Sequence, residues 1–130
     1  MRNQIDIMGA FVISKRLNGD FKFTFATRRG KTIFTSIGCK QKSDCELMIA
    51  AIRENTAQFT FTKIRKASGK FYFRLSKDGL VLANSRKYST ELLLQKGIDE
   101  IIRRVPTAET LDFSENEFAF ADEPTTDEEE

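Results

Sequence analysis

Histidine and tryptophan are absent from this 130-residue chain, and proline and cysteine occur twice each. Without histidine there is no Ser–His or Cys–His nucleophile pair and no His-bearing metal site. Cys39 and Cys45 have no second cysteine pair to complete a zinc tetrad. No apolar run approaches the roughly 18–20 residues that span a membrane. The opening MRNQIDIMGAF lacks the basic stretch and following apolar run of about 7–15 residues that mark a signal peptide. Glycines stand singly, most of them at turns, so no glycine-rich phosphate loop is present. Carboxylates are few before residue 109, and most fall in turns (Asp20, Asp78) or the first turns of helices (Asp44, Glu46, Glu91). Turn chemistry and the helix dipole account for those positions. These absences predict a cytoplasmic, non-enzymatic protein with no cofactor, no metal and no membrane contact.

Apolar residues make up 40% of the chain and twelve are Phe, enough for one core packed by mid-sized rings. The net charge of +2 hides an asymmetry: all 21 Lys and Arg lie in residues 1–108 with nine acids, whereas residues 109–130 hold the other ten acids and no base. A body of +12 therefore precedes a tail of −10.

The chain also repeats itself. FVISKRLNGDFKFTF (11–25) aligns with FTKIRKASGKFYFRL (61–75) at an offset of 50, matching Phe11 to Phe61, Gly19 to Gly69 and Phe23 to Phe73. The offset then becomes 49, matching Gly30 to Gly79, Ile33 to Leu82, Ser36 to Ser85 and Ile49 to Ile98. After an N-terminal lead (1–8), two units span 9–57 and 58–107, and an acidic tail (108–130) follows. Each unit reads as three strands and a helix. Asn18-Gly19 and Ser68-Gly69 mark hairpins. Phe21, Phe23 and Phe25, like Phe71, Phe73 and Leu75, alternate with polar residues at the period of a half-buried strand. Ser43-Asp44-Cys45-Glu46 has the form of a capping box, and Cys45, Met48, Ile49 and Ile52 form one helical stripe matched by Leu94, Gly97, Ile98 and Ile101. Gly97 inside the helix predicts a close approach to the sheet, and Pro106 ends that helix. A unit of about 50 residues buries little surface alone. The expected fold is therefore α+β: tandem βββα repeats forming one antiparallel sheet of about six strands, with two helices packed on one face.

The second unit carries a recognisable pattern. Gly69-Lys70-Phe71-Tyr72-Phe73-Arg74-Leu75, then Gly79, Ser85, Tyr88, Gly97-Ile98 and Ile101, resemble the YegP-like family (the DUF1508 domain, UPF0339), whose members carry one or two copies. The resemblance implies β3-α units paired around one sheet with their C-terminal helices exchanged, and it brings no catalytic residue set. The first unit departs from the pattern, with Cys39 in place of Tyr88 and Met48 in place of Gly97.

Two readings of function remain open. If the phenylalanines face the helices, Lys22, Thr24, Tyr72 and Arg74 share the opposite face, fringed by Arg28, Arg29, Lys31, Lys70 and Lys77. A basic face with an aromatic suits a nucleic-acid binder. Exposed sheet faces are also ordinarily basic, and the order βββα is not that of an RNA-recognition motif. The first reading is a binding domain, acting as a monomer, with a protein partner; the alternative is a nucleic-acid binder modulated by its tail. Cys39 and Cys45 are either a redox pair or two packing residues. In the tail, Leu111, Phe113, Phe118 and Phe120 interrupt the charge; Phe113, Phe118 and Phe120 would anchor it if it docks on the body, and otherwise it hangs free.

Overall fold

A computed structural model of the protein describes residues 9–27 and 30–115. Strands β1 (Gly9–Lys15), β2 (Phe21–Thr27) and β3 (Thr32–Ser36) lead into helix α1 (Lys42–Glu54). The same order recurs as β4 (Thr60–Arg65), β5 (Phe71–Lys77), β6 (Leu80–Ser85) and α2 (Glu91–Arg104), and β7 (Glu109–Asp112) follows. All seven strands form one sheet in the order β4-β5-β6-β3-β2-β1-β7. The sheet is joined at its centre by the antiparallel β3–β6 pair, Thr35 opposite Asn84.

The sheet is mixed rather than antiparallel, and it has seven strands rather than six. β7 runs parallel to β1, pairing Phe11 with Thr110 and Ile13 with Asp112. Four residues with two acids carry too little apolar signal to read as a strand. Cations from α1 hold it instead: Lys42 Nζ lies 2.9 Å from Asp112 Oδ2, and Arg53 donates to Thr110 Oγ1 at 2.6 Å. The Phe113 N–H donates to the Ile13 carbonyl at 2.8 Å. The helices are not exchanged either. α1 packs on β1 and β2, and α2 packs on β5, so each lies over strands of its own set.

Alternation along the strands places one row of side chains under the helices. Phe11, Phe25 and Phe34 stand opposite one another across β1, β2 and β3, with ring centroids 5.2 Å apart for Phe11–Phe25 and 5.7 Å for Phe25–Phe34. Beyond β3 the core turns aliphatic, through Ala83 and Leu75 beside Phe73 and Tyr88. Cys45, Ile49 and Ile52 from α1 and Leu94, Ile98 and Ile101 from α2 close it. β2–β3 and β5–β6 each contain a register shift that leaves Ile33 and Leu82 as extra residues. At the β5–β6 turn Asp78 (φ 53°) and Gly79 (φ 83°) are both left-handed, as a two-residue hairpin turn requires. α1 begins at Lys42 behind an uncapped Gln41, so Ser43 lies inside the helix and caps nothing. In α2, Thr90 accepts from the Leu93 N–H at 3.1 Å.

The β7 anchor predicts a pH response. Hydrogen bonds from Ser114, then the Lys42 ammonium, hold the Asp112 carboxyl down at about 2, from an ordinary 3.8. A depressed carboxyl stabilises the fold above its unfolded pKa, and that share is lost as pH falls from 3.8 toward 2. Because the pair is part-exposed the effect is small and local. Amide exchange in β7 should accelerate over that window relative to β2 in wild type, and the difference should vanish in Asp112→Asn.

Candidate binding site

Both helices cover one face of the sheet, and no described element covers the other. Strands β1 to β6 contain Lys15, Lys22, Lys63, Arg65, Arg74 and Lys77 and no carboxylate. Across the open face runs the row Arg74, Asn84, Thr35, Thr24, set by register through β5, β6, β3 and β2. Arg74 is fixed there: Nε donates to Asn84 Oδ1 at 3.1 Å, and a terminal nitrogen donates to the Tyr72 hydroxyl at 3.1 Å. Its guanidinium also lies 5.9 Å from the Tyr72 ring centroid, and Lys66 Nζ lies 5.8 Å away.

The predicted basic residues do not gather into one patch. Arg74 and Thr24 are three strand spacings apart, about 14 Å. β2 and β5 run in opposite directions, so Lys22 and Tyr72 extend away from that row toward opposite corners. Lys77 reaches over the Phe59 ring instead, 5.5 Å from its centroid. Lys70 sits in the β4–β5 turn, where its carbonyl accepts from the Lys66 N–H. Lys31 belongs to the helix-covered side. Arg28, Arg29, Phe118 and Phe120 lie outside the described residues, and Phe113 is 46% exposed at the end of β7.

A second concavity lies on the helix side, between the β2–β3 hairpin and α2. It encloses about 620 Å³ and is walled by Lys31, Arg86, Lys96 and Arg104 around Ile33, Leu93, Tyr88 and Gly97. Tyr88 pairs with Phe71 as a single bridge beyond β5, and its ring fills the space beside α2. A Cβ built at Gly97 would lie 2.8 Å from Tyr88 Cζ and closer still to the hydroxyl. Close approach does explain this glycine, but what approaches is the ring of Tyr88. The hydroxyl is buried in the narrow space beside Gly97. Burial pushes its pKa up, and the Arg86 guanidinium, 5.2 Å over the ring, opposes that shift. Sequence reasoning did not select Arg86, Lys96 and Arg104. The usable signal was the linked change of Tyr88 and Gly97 against Cys39 and Met48.

The cysteines are both free and buried. Burial pushes both thiols up, Cys45 to about 12. Reactive cysteines have lowered pKa values and access to solvent, so this environment suits packing residues. Among the described residues no three of His, Cys, Asp and Glu come together as a metal site, and no helix is long and apolar enough to cross a membrane.

Comparison with known proteins accords with this geometry. Residues 67–112, from the β4–β5 turn through β7, match the family model "Domain of unknown function (DUF1508)". The chain is 31% identical over 107 residues to the UPF0339 protein in the ptx operon 5' region of Stutzerimonas stutzeri, covering 80% of this chain and 96% of that protein. It is 32% identical over 95 residues to the UPF0339 protein YegP of Escherichia coli K12, covering 72% and 86%. This chain belongs to the UPF0339 family. Two UPF0339 solution structures share the fold. YegP of E. coli, a protein of unknown function, matches at a TM-score of 0.74 and 27% identity over 82% of this chain and 94% of its own. A UPF0339 protein from Shewanella oneidensis matches at 0.75 and 25% over 84% and 94%. The DUF1508 match runs to Asp112, so its span includes the strand that composition alone assigned to the acidic tail.

Proposed function

We propose that this protein is a non-enzymatic binding domain whose open sheet face takes an extended acidic segment of a partner protein. The observation that carries the reading is Arg74, held by Asn84 and Tyr72 on a face whose six longer strands contain no carboxylate. A guanidinium fixed before binding loses little freedom when a carboxylate arrives, and two donors can meet it side by side. Single-stranded nucleic acid is the weaker reading. Tyr72 is the one ring in the Arg74 cluster, and it is already engaged by two cations. We further propose that the two βββα sets descend from one duplicated unit. The Phe23 N–H donates to Ser36 Oγ at 2.9 Å and the Phe73 N–H to Ser85 Oγ at 2.8 Å, which supports that origin. With both units in one chain, the protein acts as a monomer in this reading.

The test is fluorescence anisotropy of the full chain with labelled polyglutamate and, separately, labelled oligo-dT. Polyglutamate should bind with an affinity that falls with salt, and Arg74→Ala should weaken it about tenfold. Tighter binding of oligo-dT, lost in the same variant, would replace the protein reading with the nucleic-acid one. Deleting residues 116–130 should tighten polyglutamate binding if the acidic tail competes for the face. The cut falls after Glu115 so that β7 and the Ser114 hydrogen bonds to Asp112 are both kept.

A further inference from the structure

The cleft between the β2–β3 hairpin and α2 lies across the sheet from Arg74 and is independent of the reading above. Its one carboxylate, Glu100, is taken up by Arg104 at 2.9 Å, which leaves Lys31, Arg86 and Lys96 as an excess of positive charge around the mouth. The inner wall is of another kind, with Ile33, Leu93, the face of Tyr88 and the bare backbone of Gly97. Positive charge over an apolar floor fits an organic anion that carries a flat ring.

The other half of the molecule provides an internal control. The Phe21–Cys39 bridge occupies the place that Phe71–Tyr88 occupies here. Counting by the 49-residue offset, Lys31 answers to Leu80, Arg86 to Ile37, Lys96 to Leu47 and Arg104 to Asn55. All four cations have neutral counterparts, and Met48, packed against the core, stands where Gly97 leaves room. Residues needed only for the scaffold recur in both halves; these do not. Gly97 also forgoes about the full helix propensity of an alanine, and what its missing side chain leaves room for is Tyr88 and the cleft beside it.

We propose that this cleft binds a small aromatic anion, its phosphate or carboxylate held by Lys31, Arg86 and Lys96 and its ring laid against Tyr88 and Leu93. The test uses phenyl phosphate and inorganic phosphate with the full chain, followed by amide chemical shifts and calorimetry. Phenyl phosphate should move the Leu93, Lys96 and Gly97 amides and bind more tightly than inorganic phosphate. Lys31→Leu and Lys96→Glu, both at exposed positions, should each weaken it about tenfold with the fold's spectrum unchanged. Arg74→Ala should leave it unaffected, so this result and the polyglutamate result can fail separately. Shifts confined to the open sheet face, affinities unchanged in both cleft variants, or no shifts at all would overturn the site. Equal affinity for the two phosphates would overturn the assignment of an aromatic ligand.

Discussion

Phe11→Ala should cost about 3–5 kcal/mol, the largest loss expected from a single truncation in this protein. Phe11 is fully buried and touches three rings: Phe25 at 5.2 Å, Phe23 at 6.0 Å and Phe34 at 6.3 Å between centroids. Arg53 lies over it at 5.5 Å while also holding Thr110. Removing the ring therefore opens a cavity among rigid neighbours and loosens the cation that fastens β7. The neighbouring rings are anchored on two strands, β2 and β3, so the site has little means of collapsing. Urea unfolding gives the measurement, with Leu47→Ala, 70% exposed, as a control expected within about 0.5 kcal/mol of wild type. A Phe11→Ala loss no larger than the control's would show that the ring cluster is not the centre of the core.

Gly97→Met should be destabilising by about 3 kcal/mol even though methionine is the better helix former. The new side chain would enter the volume of Tyr88, whose Cζ leaves 2.8 Å for a Cβ and which, at 8% exposure, cannot swing aside into solvent. The other half suggests the rescue. Cys39 and Met48 occupy the matching places there, a small residue on the strand side and a large one on the helix. Tyr88→Cys on its own empties the same space. Combined with Gly97→Met it should restore most of the stability, with a coupling of about 1–3 kcal/mol in a double-mutant cycle. Simple addition of the two single losses would mean that the positions do not share one volume.

Most of the β-sheet was legible because its signals are local. Phe21, Phe23 and Phe25 alternate, Asn18-Gly19 and Asp78-Gly79 turn, and the helix stripes of Cys45 and Leu94 repeat at helical spacing. What escaped depended on contacts between distant residues. β7 is a strand because Lys42 and Arg53 hold it, and nothing within ETLD reveals them. The start of α1 shifted because Gln41, not Ser43, is where the backbone becomes extended. The basic face expected from alternation puts Lys22 and Arg74 opposite the buried Phe23 and Phe73. It dispersed because period-2 alternation gives the side of a sheet but not the position across it. Lys31 went astray because a residue beside a turn and a register shift does not follow the alternation of the next strand. Lys77 does follow β5, with the parity of Phe73 and Leu75, and was misplaced because it was read as a turn residue.

The place of β7 also bears on how the chain is made. β1 leaves the ribosome before every other described strand, and the strand that pairs with its outer edge comes about 100 residues later. At synthesis rates of roughly 5–20 residues per second, that edge stays without its final partner for about 5–20 s. Through that interval the nascent first unit presents a seven-residue strand, GAFVISK, with a row of open backbone hydrogen bonds. Its parallel partner is thus a last step of folding, and the moment of greatest exposure to a neighbouring nascent chain comes before it.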